Sequence, residues 1–324
     1  MKLDAAYVKR IADSTGFDTA QLEKVIRLRQ LLIEFRKHPF LRERLVLKGG
    51  TAVNLFYLEL ARLSVDIDLN YIGQLGREEM QRERSEIVRA TEEITKALGY
   101  KVQKNADDYA LNEWFLTYQN HIGSPDQIQV EINFLMRATA LAPQLRQAIP
   151  IGDEPVCEFP VLAIEELFAG KIKAMIDRKH PRDLYDLFRL GKARLNYDSD
   201  LMRKLTVLLC STMNRDLRSY SMSRFADIDE EAIKRLLYPL LKATDRPTGA
   251  EMFAVARPIL EGVLDHRREA NFLEAMAAGK YQPELLFPKD APTVGRIRNH
   301  PALLWKAENV RQYLSKQKPE GSGH

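Results

Sequence analysis

Residues 47–70, LKGGTAVNLFYLELARLSVDIDLN, constrain this chain more tightly than any other stretch. LVLK (45–48) reads as a short apolar strand ending at Gly49-Gly50, Thr51 to Ala61 has helical character, and Arg62 to Tyr71 returns to strand. Alternate residues of a strand share a face. Asp66 and Asp68 therefore project together, while Val65, Ile67 and Leu69 turn the other way into a core. A strand, a tight corner, a helix and a half-polar strand in so short a span require a helix-covered sheet with one polar patch.

The corner and the acids belong together chemically. Glycines let backbone N–H groups approach an anion, and a helix start adds the positive end of its dipole. Thr51 suits either a phosphate contact or a plain helix cap. Downstream, IQVEINF (128–134) places Gln129, Glu131 and Asn133 on one face and Val130, Ile132 and Phe134 on the other. If the two strands are neighbours, Glu131 joins Asp66 and Asp68. Two carboxylates about 4 Å apart repel by roughly 4 kcal/mol at an effective dielectric of about 20. Oxygen-only ligands of this kind suit Mg²⁺ or Mn²⁺, although D-x-D on a strand also occurs as a solvated face. DIDLN is no EF-hand loop, because Tyr71 and Arg77 stand where Gly and Glu are needed. Ala169-Gly170-Lys171 is no Walker loop, because Ile172 follows and the earlier glycine is missing. A phosphate cradle one helix ahead of a carboxylate pair is the layout of a metal–nucleotide site.

The helix AIEELFAGKIKAMIDR (163–178) holds a lysine out of place. At about 100° per residue, Lys171 falls between Leu167 and Phe168 within an apolar stripe, with Arg178 close by. Glu166, Lys173 and Asp177 take the opposite, wet face. A buried ammonium is costly unless an anion meets it, so Lys171 reaches protein carboxylates or nucleotide phosphates, or else snorkels to the rim. Pro181 opens the next helix, whose first turns present Asp183 and Asp186.

Elsewhere, residues 4–37 read as one or two helices, 77–98 as a charged helix ending at Gly99, and 112–119, 128–134 and 155–162 as strands. Beyond residue 191 every strong signal is helical. The fold class is α+β, with domains at 1–190 (sheet-based, with N-terminal helices) and 191–318 (helical), and residues 319–324 read as a tag or disordered tail. No run of about 18 apolar residues and no signal-peptide core is present. Two cysteines, Cys157 and Cys210, fit a reducing compartment, and the location expected is the cytoplasm. The net charge of +4 is matched by residues 292–324 alone, where six Lys/Arg oppose two Glu. That tail is either a solvated helix or a surface facing nucleic acid.

Taken in order, GGT, then R-x-S-x-D-x-D (Arg62, Ser64, Asp66, Asp68), a strand glutamate, K-I-x-A (Lys171 to Ala174) and R-D-x-x-D-L (Arg182 to Leu187) resemble the AbiEii/AbiGii-type nucleotidyltransferase toxins. HPALLWKAENV (300–310) is similar to that family's closing helix. The resemblance implies a nucleotidyltransferase-like mixed sheet, an all-α C-terminal domain, an NTP substrate and a divalent cation. It also implies a cognate antitoxin, a role in phage defence or stress, and nucleotide addition to RNA at the tRNA acceptor end. Carried over by residue, Asp66 and Asp68 would bind metal with Glu131 as a third ligand. Gly49, Gly50, Thr51 and Ser64 would line the phosphates, joined by Arg62, Arg178 and Arg182. Lys171 would bind phosphate and Asp183 would be the late acid and a base for the acceptor hydroxyl, with Asp186 as the other choice. An NTP or RNA sensor without turnover, and transfer onto a protein hydroxyl, are the alternatives.

Overall fold

The computed structural model describes residues 3–225 and 227–317. Its elements run α1 (Ala5–Thr15), α2 (Thr19–Lys37), β1 (Leu45–Lys48), α3 (Gly49–Phe56), β2 (Asp66–Tyr71), α4 (Arg77–Ala97), β3 (Lys101–Asp107), β4 (Leu111–Gln119), β5 (Pro125–Asn133), β6 (Gln144–Gln147) and β7 (Glu158–Val161). Helices follow: α5 (Ile164–Arg178), α6 (Pro181–Lys192), α7 (Ser199–Cys210), α8 (Glu230–Leu236), α9 (Gly249–Leu264), α10 (Ala270–Ala277), α11 (Ala291–Ile297) and α12 (Pro301–Gln317). The fold is thus α+β, with no strand after Val161 among the described residues.

The seven strands form one mixed sheet in the order β3-β4-β5-β2-β1-β7-β6. β2 pairs antiparallel with β1 and parallel with β5, which sets Lys48, Asp68 and Glu131 side by side on three central strands. The pleat buries Ile67 and Leu69 on β2 and Ile128, Val130 and Ile132 on β5, so the acids are left on the opposite face. Apolar burial of this kind is worth about 25 cal/mol per Å² and fixes the register.

Local signals explain the element ends. Asp4 and Asp18 cap α1 and α2 through side-chain oxygens, and Gly16 closes α1 at φ 78°. The helix expected to reach Ala61 stops at Phe56, because Glu59 and Leu60 adopt left-handed backbone angles. That turn pulls Arg62 into the interior, and β2 begins only at Asp66. α7 packs on α5 and α9 on α6, within one apolar cluster that spans the chain from Leu3 to Leu303.

The basic tail is partly neutralised: Arg298 pairs with Glu284 and Arg311 with Glu308. Lys318 and the segment 319–324 lie outside the described residues.

Candidate active site

Lys48 Nζ stands 3.3 Å from Glu131 Oε1. Burial pushes the Lys48 ammonium down, but Asp68 and Glu131 outweigh it and leave the group above its ordinary value. Asp66 moves up, first by burial and then by repulsion from Asp68. Its partner is Arg182, whose Nη1 lies 3.6 Å from Oδ2.

The glycine corner sits directly against this pair. Gly49 has φ +73°, and a Cβ there would collide with the Asp68 carboxylate. A Cβ on Gly50 would meet Ser64 Oγ at 2.6 Å and Arg62 Nη2 at 2.8 Å. The first amides of α3 therefore approach the acids as only glycine permits. Thr51 is fully buried, and its hydroxyl donates to the Asp66 carbonyl at 2.5 Å. Its side chain ties the corner to the head of β2 and faces protein.

Behind the corner lies a buried ion network. Lys171 Nζ reaches Asp183 Oδ1 at 3.2 Å and Asp186 Oδ2 at 2.9 Å. Arg178 donates from Nε and Nη2 to the two oxygens of Asp183 at 2.8 and 3.1 Å. Arg62 grips Asp186 with Nε and Nη2, each at 2.8 Å, and Asn54 Nδ2 adds a bond to Asp186 at 3.3 Å. Burial raises both carboxyls, yet the cations win. Lys171 and Arg178 hold Asp183 below the usual range, and Arg62 and Lys171 bring Asp186 to about 2. Asp183 lines the open cleft, whereas Asp186 faces inward to Arg62. Arg62, expected on the nucleotide side, is thus a buried partner of Asp186, because an unpaired guanidinium there would be prohibitive.

Lys48, Gly49, Asp68, Glu131, Lys171, Arg178 and Asp183 line one cleft of about 410 Å³. Among the lining residues, the sequence reading did not assign Lys48, Asn70 or Glu166 to the site. Lys48 adjoins Gly49, and Asn70 follows Asp66 and Asp68 on the same strand face, so spacing alone could have found both. Asn70 is buried and its Oδ1 has no hydrogen-bond partner. Glu166, expected on a wet face, is instead buried and accepts from the amides of Ala140 and Leu141, both at 3.0 Å. Helical periodicity cannot foresee a loop folding over that face.

Among the described residues, no three acids, histidines or cysteines stand together as a preformed metal cage. The donor chemistry nevertheless fits a hard divalent cation, since Asp66 and Asp68 are mutually repelling oxygen ligands on one face.

A D-x-D strand beside a glycine corner, on a mixed sheet backed by helices, defines a nucleotidyltransferase architecture. Residues 30–261 match the family described as nucleotidyl transferase AbiEii toxin, type IV TA system, and the chain belongs to that family. It is accordingly a nucleotidyltransferase toxin that uses an NTP and is partnered by an antitoxin. The fold resembles MenT4, a nucleotidyltransferase toxin from Mycobacterium tuberculosis H37Rv, with TM-score 0.60 and 19% identity over 96% of this chain and 99% of that one. An H. pylori protein assigned as a nucleotidyltransferase aligns with TM-score 0.46 and 19% identity over 73% of this chain and 93% of that one. No curated protein matches. No helix among the described residues is long and apolar enough to cross a membrane.

Proposed function

We propose that the protein transfers nucleotides from an NTP to the 3′ end of an RNA, the tRNA acceptor end, and so blocks translation under phage attack or stress. The observation behind this reading is the contact of the Gly49 corner with Asp68, which puts an anion-binding helix start against a cation-binding acid.

The backbone amides of Gly49, Gly50 and Thr51 hold triphosphate oxygens at the positive end of α3. Ser64, packed against Gly50, adds its hydroxyl. Arg178, which lines the cleft at the end of α5, and Arg182, which pairs with Asp66 from α6, neutralise the leaving pyrophosphate. Lys171 also lines the cleft and adds its charge, held in place by Asp183 and Asp186. Because its carboxyl is held low, Asp183 stays ionised and serves better as the anchor of Lys171 and Arg178 than as a proton acceptor. Asp66 and Asp68, with Glu131 once Lys48 yields it, would hold Mg²⁺ or Mn²⁺, which supplies charge neutralisation at the reacting phosphate. The acceptor 3′-hydroxyl gives its proton to solvent as its oxygen bonds to the α-phosphorus in line, the α–β bridge breaks, and pyrophosphate leaves.

The direct test incubates the protein with Mg²⁺, labelled NTPs and total tRNA. The expected outcome is labelled tRNA that disappears with Asp66→Ala. Label found on protein instead would point to a side-chain hydroxyl acceptor, and pyrophosphate-free NTP binding to a sensor.

A further inference from the structure

A second cavity, of about 430 Å³, opens beyond the end of α5. It is lined by Lys179, Arg215, Arg224, Ser219, Tyr220, Ser221 and Ser223, that is, by three cations and four hydroxyl groups with no carboxylate. We propose that this cavity is a phosphate-binding subsite that grips the backbone of the acceptor RNA strand on its way to the active cleft. This rests on the RNA reading above and adds the path of the strand.

The charges support it. In the active cleft Lys48 has an acid partner in Glu131, and Lys171 and Arg178 have one in Asp183. In the second cavity no cation has one among the described residues. Arg224 donates to backbone carbonyls, Nε to Ile176 at 2.9 Å and Nη2 to Asp177 at 2.6 Å, and its guanidinium lies 5.3 Å from the centre of the Tyr220 ring. Lys179 Nζ donates to the Asp227 carbonyl. The Arg215 side chain makes no hydrogen bond or ion pair with a described residue, and it is exposed. Carbonyl anchors orient a cation without cancelling its charge, so three uncompensated positive groups converge on a hydroxyl-rich wall. Phosphodiester oxygens match that surface. An apolar peptide does not, because the lining offers no apolar side chain apart from the Tyr220 ring.

Position supports it too. Asp177 and Arg178 line the active cleft, and Lys179, next in sequence, lines the second cavity. Arg224 bonds to the carbonyl of Asp177 itself. The two cavities are therefore joined by the last turn of α5.

The test compares wild type with Arg215→Glu and with Ser223→Asp, both exposed positions, in anisotropy titrations of labelled tRNA and of a short single-stranded RNA. Calorimetric NTP binding and melting temperature are measured alongside. Each variant is expected to weaken RNA binding by roughly threefold or more at about 0.15 M salt and to flatten the log K against log salt slope by about 0.7 to 0.9. NTP affinity and melting temperature stay put. Wild-type RNA affinity and slope in both variants would overturn the subsite and leave the RNA reading intact. So would a loss confined to NTP affinity, which would make the cavity a nucleotide site, or a loss confined to the antitoxin complex. A wild type that neither binds nor extends RNA would remove the RNA reading, and the subsite with it.

Discussion

Arg62 and Asp186, 124 positions apart in the chain, face each other through two hydrogen bonds of 2.8 Å, with both side chains almost wholly buried. This fork joins the loop before the D-x-D strand to the second turn of α6, so the Gly49-Gly50 corner and the Lys171 network are braced by one pair.

Breaking that pair leaves an uncompensated buried charge. Arg62→Met or Asp186→Asn is expected to cost about 3–5 kcal/mol, seen as an earlier urea midpoint. A variant that loses activity at wild-type stability would instead return Arg62 to the nucleotide.

Asp68→Asn should behave in the opposite way. Removing one of two repelling acids is expected to leave stability unchanged or slightly raised, while nucleotide transfer falls by about 10²-fold or more. The Asp66 carboxyl, raised by burial and then by Asp68, should titrate nearer its ordinary value in that variant. Carboxyl NMR shifts read that change, and an unmoved Asp66 would count against close coupling.

Gly49→Ala combines an unfavourable φ of +73° with a collision at Asp68. A loss of about 1–3 kcal/mol is expected, together with loss of transfer as the acid is displaced. A fully active, fully stable Gly49→Ala protein would refute the contact on which the proposed function rests.

Acid should weaken the fold through Asp186. Its carboxyl is depressed to about 2 because Arg62 and Lys171 overcome the effect of burial. A depressed carboxyl stabilises above its unfolded value near 4 and loses that contribution as the pH falls through its folded value. Unfolding free energy should therefore fall by about 2 kcal/mol between about pH 4 and pH 2, measured by urea titration at each pH. A flat profile over that window would contradict the pairing.

Lys171→Met removes the ammonium shared by Asp183 and Asp186. A lower melting temperature and an upward shift of both carboxyls are expected, because the acids lose a cation in a dry site. Unchanged stability would mean that Arg62 and Arg178 suffice.

The sequence revealed the parts of the fold that repeat a physical rule. The alternation in DIDLN and IQVEINF showed which faces are buried, and the register of β2 with β5 sets Asp68 beside Glu131. β3 and β6 escaped notice because KVQKNAD and QLRQ are polar, exposed segments at the sheet edges, held by backbone pairing that side chains do not advertise. Arg62 was assigned to the nucleotide by the family motif, and its pairing with Asp186 was not foreseen because nothing local announces a partner on a helix far along the chain. Lys171 was legible as an anomaly, since a cation in an apolar stripe demands an anion, but only the coordinates say that Asp183 and Asp186 both answer it.

The Arg62–Asp186 span has a consequence for the cell that makes this poison. On a ribosome adding about 5–20 residues per second, the 124 positions take roughly 6 to 25 seconds to emerge. Until then Arg62 has no mate, and Lys171 lacks one of its two acids. A message broken before codon 186 would therefore yield fragments without this brace, so a toxic product requires synthesis past the second turn of α6.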